Sequence, residues 1–207
     1  MSKNFGSINK ESKFYTVLFT FVVTFIFVFV LSSLNNFTSQ KAKENQQIFK
    51  VKAILNAVGI QYSSNQEAME KFKSSISRVE ITGYELYKTI VENGEVYAIV
   101  FNGSGLWGNI SGVLAVDKNV TKIVGIDFVS QSETPGLGGR IDEKWFKEQF
   151  RNEKIINNSI VLSTTKAKES KDDGMVDAIT GATLTSKYVE KIIKEYIPIL
   201  KQLLGVS

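Results

Sequence analysis

Neither cysteine nor histidine occurs anywhere in the 207 residues. Their absence removes thiolate nucleophiles, disulfides, iron–sulfur ligation, haem held by histidine and ordinary zinc sites together. Chemistry in this chain has to come from hydroxyls, carboxylates or a bound organic cofactor. Proline is scarce too, with only Pro135 and Pro198, and no low-complexity tract interrupts a composition that is 43% hydrophobic. Such a chain has the makings of a packed core rather than a disordered tail. The net charge of +4 comes without a basic run, so nucleic-acid binding lacks its electrostatic footprint.

Charge is missing altogether between Lys13 and Lys41, and residues 14–34 read FYTVLFTFVVTFIFVFVLSSL. That run is long enough to cross roughly 30 Å of hydrocarbon as a helix. It exceeds the roughly 7–15 residues of a signal-peptide core, and LSSLNNF offers no clear cleavage site, which favours a retained single-pass anchor. Lys3, Lys10 and Lys13 precede the run while Lys41, Lys43, Lys50 and Lys52 follow it, so the positive-inside count leaves its orientation undecided.

Four parts are expected: a short N-terminal segment (1–13), a transmembrane helix (14–34), a stalk helix (35–60) and one globular domain (61–207). In the stalk, Ile48, Val51, Ile54, Leu55 and Val58 recur at helical spacing and Gly59 provides a C′ stop. A second helix over 65–76 has Ser63 or Ser64 as its N-cap. Strands follow at 84–91 and 95–102, joined by an Asn93-Gly94 hairpin turn, and then at 110–116 and 122–130. The pattern predicts four antiparallel strands. Residues 145–151 read as a short helix, 159–164 as a further strand, and 186–204 as a terminal amphipathic helix with Val189, Ile192, Ile193, Tyr196 and Leu200 inward. Strands grouped in the middle with helices outside make an α+β domain, a mainly antiparallel sheet flanked by helices.

Three stretches carry candidate chemistry. Asp177-Ala178-Ile179-Thr180-Gly181-Ala182-Thr183-Leu184-Thr185 stands directly before the terminal helix. Free N–H groups and the helix dipole make that position attractive to a phosphate, and Gly181 and Ala182 let an anion approach the main chain. A threonine hydroxyl there can become the ester oxygen of a phosphodiester if an external transferase delivers the phosphoryl group. The local pattern alone favours an ordinary helix-capping loop. Gly105-Leu106-Trp107-Gly108 sets an aliphatic and an aromatic residue between glycines, suited either to a flat apolar contact or to the core. Glu133-Thr134-Pro135-Gly136-Leu137-Gly138-Gly139-Arg140 is a Gly/Pro turn whose backbone can lie close to a planar ring with N–H groups free to bond it.

The DxxTGAT run of residues 177–183 resembles the recognition sequence for covalent flavin attachment by a flavin transferase. It is similar to the FMN-binding small subunits of the sodium-translocating NADH:quinone oxidoreductase (C-type) and of the RNF electron-transport complex (G-type). GLWG and ETPGLGGR resemble further stretches of that family in the same order, and their wording is nearer the C-type subunit. The resemblance implies one FMN esterified through its phosphate to Thr183, with Thr185 as the fallback site, Thr180, Gly181, Ala182 and Thr185 around the phosphate, and Asp177 read by the transferase. It implies cofactor contacts from Leu106, Trp107, Gly108, Glu133, Thr134, Gly136, Leu137, Gly138 and Arg140. Taken as charges alone, Glu133, Arg140 and Lys187 read as solvated or paired.

The implied function is a one-flavin electron relay among the integral-membrane subunits of an ion-translocating oxidoreductase, incomplete as a catalyst alone. The implied place is a bacterial or archaeal cell membrane with the FMN domain on the extracytoplasmic side. A membrane-tethered binding module without redox activity is the alternative, and it predicts a colourless protein. A free-standing FMN reductase ranks last for want of a nicotinamide fingerprint.

Overall fold

The computed structural model describes residues 13–92, 94–165 and 171–206. The short segment before the apolar run and Asn93 of the expected turn lie outside the described residues, apart from Lys13. The chain divides into two compact units, one ending at Asn45 and the other running Gln46–Ser207.

Helix α1 (Lys13–Val58) is one element that runs through both the expected transmembrane stretch and the expected stalk. In its first unit the large apolar side chains face outward, with Phe21, Phe25, Phe27 and Phe29 all more than 60% exposed. Phe21, Phe25 and Phe29 stack on one another along one face, with centroids 6.4 Å apart. Thr20 Oγ1 donates to Thr16 O at 2.8 Å, a back-bond that satisfies the hydroxyl inside its own helix. At 1.5 Å per residue the uncharged run over 14–34 is about 31 Å long. The helix is long and apolar enough to cross a membrane.

In the second unit the last turns of α1 turn apolar on one side, and Ala53, Ile54, Leu55, Ala57 and Val58 are buried. Gly59 at φ +88° stops the helix, and Ile60 N donates to Leu55 O at 2.8 Å. That is the 6→1 bond of a Schellman C-cap, which only a residue tolerant of positive φ allows cheaply. Helix α2 (Asn65–Ser75) follows, capped by Ser64, whose side chain accepts from Glu67 N at 3.1 Å.

The sheet is an antiparallel meander of six strands in sequence order: β1 (Ser77–Ile81), β2 (Tyr84–Val91), β3 (Gly94–Ser104), β4 (Asn109–Asp117), β5 (Lys122–Ser130) and β6 (Glu153–Lys154). The four expected strands are its centre; β1 and β6 extend it at the edges. Strand β1 escapes sequence reading because SRVEI is short and polar on alternate positions, and its turn is Thr82-Gly83 rather than Asn-Gly. Both turn residues have positive φ, 52° and 81°, which suits a two-residue hairpin between Ile81 and Tyr84.

One face of the sheet packs Tyr87, Val96, Ala98, Val113 and Ala115 against Ala53, Ile54, Ala57 and Val58 of α1. The other packs Leu86, Ile99, Phe101, Leu114 and Ile123 against Phe146 and Phe150 and the apolar stripe of the terminal helix. Each fully buried side chain of this size contributes about 1.5–3 kcal/mol. The architecture is therefore α+β, with an apolar N-terminal helix.

Beyond the sheet come a 3-10 turn (Gly138–Asp142), α3 (Lys144–Gln149), β7 (Val161–Ser163), β8 (Met175–Asp177) and α4 (Thr183–Leu204). The strand expected over 159–164 does form, but it pairs in parallel with β8 outside the main sheet. Helix α4 is fixed to β3 at two points. Tyr196 Oη accepts from Asn102 N at 3.0 Å, and Ile192 lies so close to Gly103 that a Cβ there would sit 2.3 Å from Ile192 Cγ1. The helix begins at Thr183, three residues before its expected start, which places Thr183 in its first turn.

Candidate functional site

The first turn of α4 opens onto a cleft of about 320 Å³, at the lower end of the range for ligand sites. Three segments far apart in sequence build it: residues 106–107, residues 133–138 and residues 181–185. Of the predicted site residues, Leu106, Trp107, Glu133, Thr134, Leu137, Gly138, Gly181, Ala182, Thr183 and Thr185 all line it.

Gly181 at φ +79° lets the chain turn sharply into the helix, a conformation costly for any residue with a Cβ. Ala182 stands at the N-cap and has no side chain with which to cap. The opening N–H groups of a helix have no intrahelical acceptor, so this end offers donors and the positive end of the dipole to an anion. Ser186 fastens the approach from behind: its Oγ accepts from Ile179 N at 3.0 Å and donates to Ala182 O at 3.1 Å.

The two threonines of the first turn differ sharply. Thr183 is exposed. Thr185 is 1% exposed, and its Oγ1 donates to Glu133 Oε2 at 2.6 Å. A hydroxyl so placed is already committed, whereas Thr183 is open to an external reagent.

Glu133, read from the sequence as a solvated or paired charge, is 5% exposed. Its Oε1 accepts from Leu106 N at 2.8 Å and Trp107 N at 3.1 Å, so a single carboxylate is shared by all three segments of the cleft. Two glycines make room for it. A Cβ on Gly105 would lie 2.5 Å from Oε1, and one on Gly138 would lie 2.4 Å from Thr185 Oγ1 and 2.8 Å from Oε2.

Trp107 is no core filler, being 72% exposed. Leu106, Leu137 and Leu184 around the same cleft are 39%, 46% and 60% exposed. Apolar groups gathered at the surface around an anion-binding helix end suit a ligand with an apolar ring and a phosphate. Leu184 was missed in the sequence. Its signal was an apolar side chain one position past Thr183, off the stripe that Val189, Ile192 and Ile193 bury.

The remaining predicted residues lie elsewhere. Gly108 closes its loop by accepting from Gly105 N at 2.7 Å, and Gly136 supplies a positive φ of 75°. Arg140, Asp177 and Thr180 line a separate cleft of about 430 Å³ together with Trp145. Arg140 Nε donates to Glu143 at 3.2 Å and its guanidinium stands 5.2 Å from the centre of the Trp145 ring, so this cation is engaged. Asp177 is held through its main chain, with N donating to Gln149 Oε1 at 2.7 Å. Three amides of the Gly/Pro turn that were expected to be free are engaged. Leu137 N and Gly139 N both donate to Thr134 O, and Arg140 N donates to Leu137 O, because so tight a turn satisfies its own amides.

Gly103, Gly105 and Gly108 do have the GxGxxG spacing. They join β3 to β4 with no helix between them. A dinucleotide loop requires a helix N-terminus for the pyrophosphate, so the spacing carries no nicotinamide site here.

The model of the FMN-binding domain family matches residues 105–197, a span that contains all three segments of the cleft. The C-type subunit of the Na(+)-translocating NADH-quinone reductase of Pasteurella multocida is 33% identical over 124 residues, 58% of this chain and 48% of that one. Its counterpart in Neisseria meningitidis serogroup A is 34% identical over 137 residues, 61% and 52% of the two chains. The chain thus spans about half the length of the curated relatives it matches. The crystal structure of the same C-type subunit from Parabacteroides distasonis superposes with a TM-score of 0.67 at 26% identity, covering 82% of this chain and 97% of that one. Motifs, family model, relatives and fold agree: residues 105–197 match the FMN-binding domain model, and the chain is similar to the C-type subunits of the Na(+)-translocating NADH-quinone reductases.

Proposed function

We propose that this chain carries one FMN, esterified through its phosphate to Thr183, and serves as a single-flavin electron carrier in a membrane ion-translocating oxidoreductase of the sodium-translocating NADH:quinone type. The observation that carries the reading is the contrast inside one helical turn. Thr183 is exposed at the mouth of the cleft, beside exposed Leu106, Trp107, Leu137 and Leu184, while Thr185 is buried and bonded.

When bound, FMN supplies the redox chemistry. The chain's own residues do the rest. The first turn of α4 offers N–H donors and its dipole to the phosphate. The exposed apolar side chains give the ring a surface, and the ester keeps the cofactor at high local concentration on a side of the membrane where free FMN is scarce. Esterification forms a bond from Thr183 Oγ1 to phosphorus as the leaving group of an activated flavin donor departs, so a flavin transferase is required. Asp177, placed near Thr180 beside the adjoining cleft, is the residue we assign to recognition by that enzyme. The partners are the integral-membrane subunits of the complex. The uncharged part of α1 is the anchor, crossing the cell membrane once with the flavin domain outside the cytoplasm.

Intact mass of the chain purified from a transferase-containing host tests this directly. The expected gain is one FMN less one water, absent in Thr183→Val and retained in Thr185→Val. An unmodified polypeptide mass from that host overturns the attachment.

A further inference from the structure

The exposed tip of the Gly105–Gly108 loop poses a physical problem. Trp107 is 72% exposed and Leu106 39%, so little packing holds either side chain, and an unsupported tip of this kind frays readily. What holds the loop lies behind it. Glu133 Oε1 accepts both Leu106 N and Trp107 N, while Oε2 accepts Thr185 Oγ1 from the first turn of α4. The carboxylate is 5% exposed, where bonds to a charged acceptor are stronger than in water. Its own backbone is pinned as well, since Glu133 N donates to Gln131 Oε1 at 2.6 Å and Gln131 Nε2 donates to Asp142 Oδ2 at 2.9 Å. The space it fills exists because Gly105 and Gly138 carry no Cβ.

We infer that Glu133 is a positioning residue: its buried carboxylate latches the Leu106–Trp107 backbone to the first turn of α4 and so sets Trp107 at a fixed place beside Thr183. It acts through the loop rather than by touching the cofactor. The inference rests on the FMN reading only for what the cleft receives.

The test uses the full chain in two forms. In the Thr183→Val background, hydrogen exchange at the Leu106 and Trp107 amides is compared with Glu133→Ala and Glu133→Gln added. Loss of the shared acceptor speeds exchange at both amides by on the order of tenfold or more. Gln, which keeps one acceptor oxygen of the same reach, restores most of the protection. In the FMN-loaded chain carrying Trp145→Phe, emission from Trp107 is quenched by the flavin, rises in Glu133→Ala and is quenched again in Glu133→Gln. Should the Ala variant fail to fold, Glu133→Asp serves in its place, being one carbon too short to keep both sets of bonds.

Unchanged exchange at Leu106 and Trp107 in the Ala or Asp variant overturns the proposal. So does a Gln variant that unfolds as cooperatively as the parent yet regains no protection. A chain that takes up no FMN but shows the exchange pattern loses the functional reading and keeps the latch.

Discussion

Thr185 and Glu133 stand 52 residues apart in sequence and share a 2.6 Å hydrogen bond in the interior, the threonine hydroxyl donating and the carboxylate accepting. The bond ties the first turn of α4 to the Gly/Pro turn. It also separates two threonines that local sequence treats alike.

Replacing the donor should therefore cost stability without costing cofactor. Thr185→Val leaves a buried carboxylate oxygen short of a partner, a penalty of about 1–3 kcal/mol. Chemical unfolding of the purified chain is expected to show that loss, while Thr183→Val, at an exposed position, unfolds within about 0.5 kcal/mol of the parent. Equal stabilities for the two variants would contradict the burial argument.

The glycines of the 133–140 turn should respond for different reasons. Gly138→Ala drives a methyl group to 2.4 Å from Thr185 Oγ1 and 2.8 Å from Glu133 Oε2, which costs about 1–3 kcal/mol and disturbs the cleft. Gly136 has open space around it but a φ of +75°, so Gly136→Ala costs about 1–2 kcal/mol from backbone strain alone. Only the first change should alter exchange at Leu106 and Trp107.

Where α4 meets β3, a compensating pair is available. Gly103→Ala collides with Ile192 Cγ1 and Cδ1, whereas Ile192 Cβ is 3.5 Å from the new atom. Ile192→Ala removes the two colliding atoms and leaves a gap that the new methyl partly fills. A double-mutant cycle on unfolding free energy should show favourable coupling of about 1–2 kcal/mol; strict additivity would place the helix farther from the strand than described.

Two glutamates should shift stability with pH in opposite directions. Hydrogen bonds from Lys88 and then Lys118 hold the Glu95 carboxyl down to about 2. A depressed folded value means that the unfolded state takes up the proton first, so stability present above the ordinary value of 4.5 is lost as pH falls toward about 2. Burial pushes Glu153 up from its ordinary value of 4.5; its Oε2 has no hydrogen-bond partner among the described residues, and Lys171 Nζ is 3.9 Å away. There the folded state holds the proton longer, so stability falls as pH rises through 4.5 toward the raised folded value. Glu153→Gln should flatten that second limb in acid titrations of stability. Glu95→Gln should flatten the first, and added salt should weaken it because Glu95 is solvent-screened.

Much of the fold was legible because it depends on local pattern. The uncharged run over 14–34, the alternation in β2 to β5 and the apolar stripe of α4 are each written in neighbouring residues. The DxxTGAT, GLWG and ETPGLGGR stretches were legible for the same reason, and nine of their residues do line one cleft. Strand β6 was not, since two residues form a strand only because β5 supplies partners. The parallel pairing of β7 with β8 likewise depends on segments that the sequence does not order in space.

The sequence by itself determined the apolar helix, the α+β order of elements and a threonine near the opening of the last helix, because those follow from periodicity and capping along a short stretch of chain. Tertiary structure alone decided that Glu133 is buried and shared, that Trp107 faces outward, that Arg140 is turned to Glu143 and Trp145, and that Thr183 rather than Thr185 is accessible. Whether a charge can be buried or a hydroxyl stays free depends on donors and acceptors brought from distant segments, and only the packed sheet and helices bring them within reach.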